Sequence, residues 1–143
     1  MTQSIEILKF ETDHGLGARA RLGLIVLQTD QTIEHDFAHI FCNENDVSLH
    51  VARIPNAMEV SPETLRQMSI DLPRAAELLP SQFGFDVVGY GCTSGATLIG
   101  EEEVGKLIRD IHPKAATTNP ITATKAALSA LGTKKIALLT PYP

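Results

Sequence analysis

The apolar residues of this chain fall into short runs, each closed by turn residues and set apart from the next by a stretch with helical spacing. Arg21–Leu27 (RLGLIVL) and Phe85–Tyr90 (FDVVGY) are the clearest of these runs. A short unbroken apolar run is what a strand covered on both faces requires. Val47–Ile54 alternates more loosely and reads as another strand; Lys114–Thr118 and Lys135–Thr140 (KIALLT) complete a set of five. Between them, Thr32–Phe41 places Ile33, Phe37, Ile40 and Phe41 on one helical face. Ser61-Pro62-Glu63 opens a helix that runs toward Leu79, with serine at the N-cap, proline at the first position and an acid in the first turn. Pro73 inside that helix predicts a break or kink near Leu72. Glu101–Ile111 and Pro120–Leu131 are further helices, the second stopped by Gly132. Strands separated by helices predict an α/β fold: a parallel sheet flanked by helices, with right-handed crossovers.

Composition narrows the function classes. A chain of 143 residues with 43% apolar and 20% charged residues is the size and balance of one globular domain with a real core. No apolar run reaches the roughly 18 residues of a membrane span. The start of the chain lacks the basic and apolar regions of a signal peptide, so a cytoplasmic protein without a membrane partner is expected. The net charge of −5 and the absence of a basic stripe argue against a nucleic-acid partner. Cys42 and Cys92 have no CxxC spacing, so no disulfide framework is expected. His35 and His39 have a spacing that can hold a metal, but the sequence supplies no third ligand nearby, and no metal is expected.

In a parallel sheet, ligands bind outside the carboxyl ends of the strands. That rule selects residues 28–32, 92–95, 118–120 and 141–143. Cys92 is the strongest candidate, because it stands between glycine and Thr93-Ser94-Gly95 where a strand turns into a helix. The first amides of that helix favour negative charge, and the same field favours a thiolate and draws a substrate carboxylate to Thr93 and Ser94. A free cysteine can instead be a small buried hydrophobe. Thr29, Asp30 and Thr32 either cap the helix that follows or present hydroxyls and amides to a carboxylate. Thr118 or Asn119 caps the next helix, and its free amides face the same crevice. The Tyr142 phenol can donate to a substrate carboxylate or enolate oxygen, or stand in water. Glu34 reads as a first-turn acid, Cys42 as structural, and Arg53 as a solvated charge that can also meet an anion.

Taken together, IVLQTDQTIEHDF, HVARIP with SPETL, DVVGYGCTSG and TTNPITATKAALSALGTKKIALLTPY resemble the Asp/Glu racemase superfamily over about residues 20–143. The closest groups are maleate cis-trans isomerase, arylmalonate decarboxylase and, nearest, the ectoine-utilisation proteins. The resemblance implies two similar α/β halves with the site between them, no cofactor, and chemistry on a small carboxylic acid. It makes Cys92 the first-half cysteine, Thr118 and Asn119 part of a substrate loop, and Tyr142 a substrate contact. Asp30 stands where maleate isomerase carries a carboxylate-binding asparagine, which points away from maleate and toward a substrate with an amino or amide group. It also divides the chain into a first half, 1–119, and the opening of a second, 120–143. The last expected strand is followed only by Pro141, Tyr142 and Pro143, so a truncated fold, a fragment or completion by a partner chain, such as a homodimer, is expected. The activities implied are an isomerase or racemase, with a decarboxylase or a non-catalytic carboxylate binder as alternatives.

Overall fold

The computed structural model describes residues 7–139. Its four strands are β1 (Ala20–Leu27), β2 (Val47–Ile54), β3 (Val87–Tyr90) and β4 (Ala116–Thr118). They form one sheet in the order β2-β1-β3-β4, and every pairing is parallel. Leu27 pairs with Ile54, Ile25 with Tyr90 and Gly89 with Thr118, which aligns the carboxyl ends along one rim. The helices are α1 (Ile33–Ile40), α2 (Pro62–Glu77), α3 (Thr93–Ile99), α4 (Glu101–Arg109) and α5 (Pro120–Ala130). The expected alternation of strand and helix is therefore present through α5.

The main core lies on the sheet face covered by α2 and α4. Ile25, Ala52, Ile54, Val88 and Tyr90 of the strands pack there against Met68, Leu72, Ala75, Ala76 and Val104. Met68, Leu72, Ala75, Ala76 and Leu79 recur at helical spacing, so they form one buried stripe that crosses Pro73. The expected break at Pro73 does not occur: α2 is continuous from Pro62 to Glu77. Burial of a side chain such as Leu72 stabilises by roughly 1.5–3 kcal/mol, and several such side chains outweigh a proline's cost of about 3 kcal/mol. The start of α2 is a capping box, with Ser61 Oγ accepting from Thr64 N–H and Thr64 Oγ1 accepting from Ser61 N–H.

The opposite face is thinly covered. Neither α1 nor α5 contains a fully buried residue. An apolar cleft of about 230 Å³ opens between them, floored by Leu22, Leu24, Val87 and Gly89 and walled by Phe37 and Ala123. Gly100, at φ 94, is the whole connection between α3 and α4, a backbone conformation that a side chain would strain. After α5, Thr133 N–H donates to Leu128 C=O and Gly132 N–H to Ser129 C=O, the paired bonds of a glycine-stopped helix. The fifth strand expected at Lys135–Thr140 is not formed over its described part. Residues 135–139 carry no regular structure and are exposed, Ile136 at 60% and Leu139 at 97%. An apolar strand needs a neighbour on its edge, and nothing in the described sheet pairs with this one.

Candidate active site

β3 ends at Tyr90, and Gly91 and Cys92 carry the chain over the rim into α3. Cys92 is the N-cap of α3, and its Sγ accepts the Gly95 backbone N–H at 3.3 Å. Ser94 Oγ lies 3.7 Å from the same sulfur. The expected helix start at Thr93-Ser94-Gly95 is thus present, with the thiol in the place of a capping hydroxyl. Cys92 is 5% exposed. It lines a narrow cleft of about 50 Å³ with Leu27, Asn56, Glu59 and Met68 among its walls, so it is reached from under the 55–60 loop rather than from open solvent.

Below the sulfur stands Tyr90, 1% exposed. Its hydroxyl lies 3.6 Å from Met68 Sδ. Burial, followed by the neighbouring Cys92, pushes the phenol far above its ordinary value, so it stays protonated. Gly95 closes the arrangement. A Cβ there would collide with the Tyr90 hydroxyl and lie 3.0 Å from Cys92 Sγ.

The loop after β1 is held by side-chain hydrogen bonds. Asp30 Oδ1 accepts from the backbone N–H groups of Thr32 and Ile33, each at 2.9 Å. Those two bonds, with partial burial opposing and Arg53 assisting, hold the Asp30 carboxyl below its ordinary value. The capping reading of Asp30 is therefore realised. Thr32 is exposed and makes no side-chain cap bond. Arg53 is exposed, as expected of a solvated charge, and it also clamps this loop: it donates to the carbonyls of Leu27 and Asp30 at 3.0 Å and pairs with Glu34 at 2.6 Å. Thr29 meets Asn56, whose Oδ1 accepts from the Thr29 N–H at 3.2 Å.

Asn56 also lines the Cys92 cleft, and the motif reading did not select it. It follows the carboxyl end of β2, where the strand-end rule could have found it. The expected single crevice is divided in two. Cys92 and Ser94 line one cleft with Asn56. Thr118 and Asn119 line the other with Gly91 and Ile33, against the apolar face between α1 and α5. Asn119 is committed to α5, its Oδ1 accepting from Ile121 and Thr122 N–H at 3.0 Å. Thr93 is exposed at the first position of α3. Tyr142 lies outside the described residues. Cys42 is exposed after α1 and does not serve the core, contrary to the structural role expected of it. The rings of His35 and His39 lie 4.7 Å apart between centroids, tilted by 43°. Among the described residues, no three His, Cys, Asp or Glu side chains group to hold a metal, and no helix is long and apolar enough to cross a membrane.

No family model and no curated protein matches the sequence. Solved structures do. The maleate isomerase of Pseudomonas putida S16 superposes with a TM-score of 0.75 at 24% identity, over 87% of this chain and 54% of that one. A maleate cis-trans isomerase of Nocardia farcinica, solved as a cysteine-to-serine mutant with a covalently bound succinylcysteine intermediate, superposes at 0.68 with 21% identity, over 79% of this chain and 49% of that one. A cysteine-to-alanine form of the Pseudomonas enzyme with maleate superposes at 0.66 with 23% identity, over 79% of this chain and 49% of that one. The chain thus spans about half the length of these structures and has the α/β fold of that half.

Proposed function

We propose that the chain is the first α/β half, residues 1–119, and the opening of the second half of a cofactor-independent isomerase or racemase. Its substrate is a small carboxylic acid, either an amino acid or a dicarboxylic acid, and its reacting group is the Cys92 thiolate. The observation that carries this reading is the Gly95 N–H donating to Cys92 Sγ at the start of α3, on the carboxyl rim of the sheet. The likeness to an isomerase solved with a succinylcysteine intermediate supports the same chemistry.

In the addition form of the reaction, the sulfur bonds to the alkene carbon beside a carboxylate. The displaced electron pair moves to the other alkene carbon and into the carboxylate attached there, as an enediolate that nearby amides and hydroxyls stabilise. Rotation about the resulting single bond and expulsion of the thiolate give the other geometric isomer. In the racemase form, the thiolate takes the proton beside the carboxylate. A second cysteine for two-base chemistry comes from outside residues 1–143, because Cys42 and Cys92 are the only cysteines of this sequence and Cys42 is exposed after α1.

With Asp30 capping α1, its charge is offset by backbone amides and Arg53, so it opposes an anionic substrate less than an unpaired acid would. Dicarboxylates therefore stay within the substrate class. Within the superfamily we place the protein nearest the ectoine-utilisation proteins, on the run DVVGYGCTSG, and in the cytoplasm. The exposed Ile136, Leu138 and Leu139 favour self-association or a covering partner.

The test is turnover of maleate and of small amino acids, followed by proton NMR with solvent exchange, for the full chain and Cys92→Ala. Loss of turnover in the variant is expected; retained turnover would remove Cys92 from the chemistry. The burial of the sulfur favours a second reading, a carboxylate binder without catalysis. Saturable binding of maleate with no isomerisation by the full-length protein, second half included, would establish it.

A further inference from the structure

Tyr90 is a polar side chain placed where nothing in the proposed reaction has used it. Tyr90 is 1% exposed, its hydroxyl has Met68 Sδ as a partner at 3.6 Å, and the hydroxyl and Cys92 Sγ both border the space beside Gly95, where a Cβ would collide with the hydroxyl and lie 3.0 Å from the sulfur. A buried phenol ordinarily finds an oxygen or a nitrogen, because a thioether is a weak acceptor. Replacing Tyr90 by phenylalanine would keep the ring and its packing, so the hydroxyl is not required to fill space. Gly95 is the complementary observation: its missing Cβ leaves room for both the hydroxyl and the sulfur, and any other residue there would push the hydroxyl away. The strand geometry makes the pairing possible, since residues two apart on an extended segment face the same way.

We propose that Tyr90 is a positioning residue for Cys92: its O–H donates to Sγ when Cys92 is ionised and turns back to Met68 Sδ when Cys92 is a thiol. The thiolate then has the Tyr90 O–H as a donor beside the Gly95 N–H and the Ser94 O–H, and these fix the direction of its remaining lone pairs toward the cleft. Cys92 releases its proton to solvent, and the phenol keeps its own throughout. Of the residues lining the cleft, only Glu59 carries a charge, and it opposes the thiolate. The Thr64, Leu65 and Met68 side chains that α2 brings to the cleft are uncharged. The Tyr90 hydroxyl thus joins the Gly95 N–H and the Ser94 hydroxyl as a neutral group able to favour the anion.

This inference rests on reading Cys92 as the reacting group, but its test does not need turnover. The full chain is made as Cys42→Ser, with carbon-13 at the cysteine Cβ, and the Cys92 shift is followed against pH. Tyr90→Phe is expected to move the midpoint up by about one pH unit, a tenfold loss of thiolate at fixed pH, as befits a hydrogen bond to a charged group. Met68→Leu removes the competing acceptor and is expected to move the midpoint down. An unchanged midpoint in Tyr90→Phe overturns the proposal. Should Tyr90→Phe fail to fold, Met68→Leu decides: a fall supports the proposal, and no change or a rise overturns it. Loss of turnover in Cys92→Ala with an unmoved Tyr90→Phe midpoint would leave the proposed function standing and remove Tyr90 from it. Retained turnover in Cys92→Ala with a raised midpoint would do the reverse.

Discussion

The Asn56 side chain accepts the Thr29 backbone N–H at 3.2 Å and so ties the loop after β2 to the loop after β1, at the wall of the Cys92 cleft. Thr29 Oγ1 adds a second contact to the same amide. Asn56→Ala is expected to cost about 1 kcal/mol in urea unfolding, the ordinary worth of such a bond. It is also expected to speed the labelling of Cys92 by a thiol reagent in a Cys42→Ser background, because the 55–60 loop covers the sulfur. A labelling rate equal to that of the parent would show that the loop is held by something else.

Gly95 and Tyr90 make a second, coupled prediction. A Cβ at residue 95 would meet the Tyr90 hydroxyl, with Cys92 Sγ at 3.0 Å and Tyr90 Cε1 at 3.2 Å. Gly95→Ala is expected to destabilise by roughly 1–3 kcal/mol, the usual cost of overpacking a core. Removing the hydroxyl in Gly95→Ala/Tyr90→Phe is expected to return part of that loss, because the two residues share one space. Strict additivity of the two single variants in urea unfolding would mean that the glycine serves some other need.

The alternation of strands and helices was legible because apolar runs and helical spacing are local signals, and β1, α2 and β3 carry them plainly. The position of Cys92 at a helix start was legible for the same reason, since a strand, a glycine and a Thr-Ser-Gly turn are neighbours in sequence. What failed depended on contacts between distant segments. Pro73 is tolerated because the Met68–Leu79 stripe is buried on both sides of it, a fact of packing rather than of propensity. Asn56 carries no local signal, and only the pairing of β1 with β2 brings it to Thr29. The division of the rim into two clefts, one with Cys92 and one with Asn119, likewise follows from where α1 and α5 lie against the sheet. The Tyr90–Cys92 pair was within reach, because residues two apart at a strand end share a face.

Pro73 offers a direct measure of that packing argument. The helix runs through it, so its ring occupies a place where alanine would add a bond to the Ser69 carbonyl and relieve the clash with it. Pro73→Ala is expected to raise stability by as much as about 3 kcal/mol, less whatever proline contributes by stiffening the unfolded chain. Leu72→Ala, one residue earlier and 0% exposed, is expected to lower it by about 2–5 kcal/mol. Thermal and urea unfolding would check both, and a destabilising Pro73→Ala would show that α2 needs the proline's geometry.

Asp30 links stability to pH. Its carboxyl is held below the ordinary value of 3.8 by the Ile33 and Thr32 amides, with partial burial opposing and Arg53 assisting. A carboxyl whose value is lower in the folded state than in the unfolded chain stabilises fully above the unfolded value, and that contribution fades as pH falls through the folded value. Asp30→Ala is therefore expected to be about 1 kcal/mol less stable than the parent near pH ~7, the typical worth of a cap. The gap should narrow below pH ~4, as the parent's carboxyl takes up its proton. Asn also caps helices and does not titrate, so Asp30→Asn should keep most of the stability near pH ~7 without this acid-dependent part. Urea unfolding of the three proteins across that range separates cap from charge. A gap between parent and Asp30→Ala that stays constant down to pH ~2 would show that the ionised form of Asp30 is not what holds the start of α1.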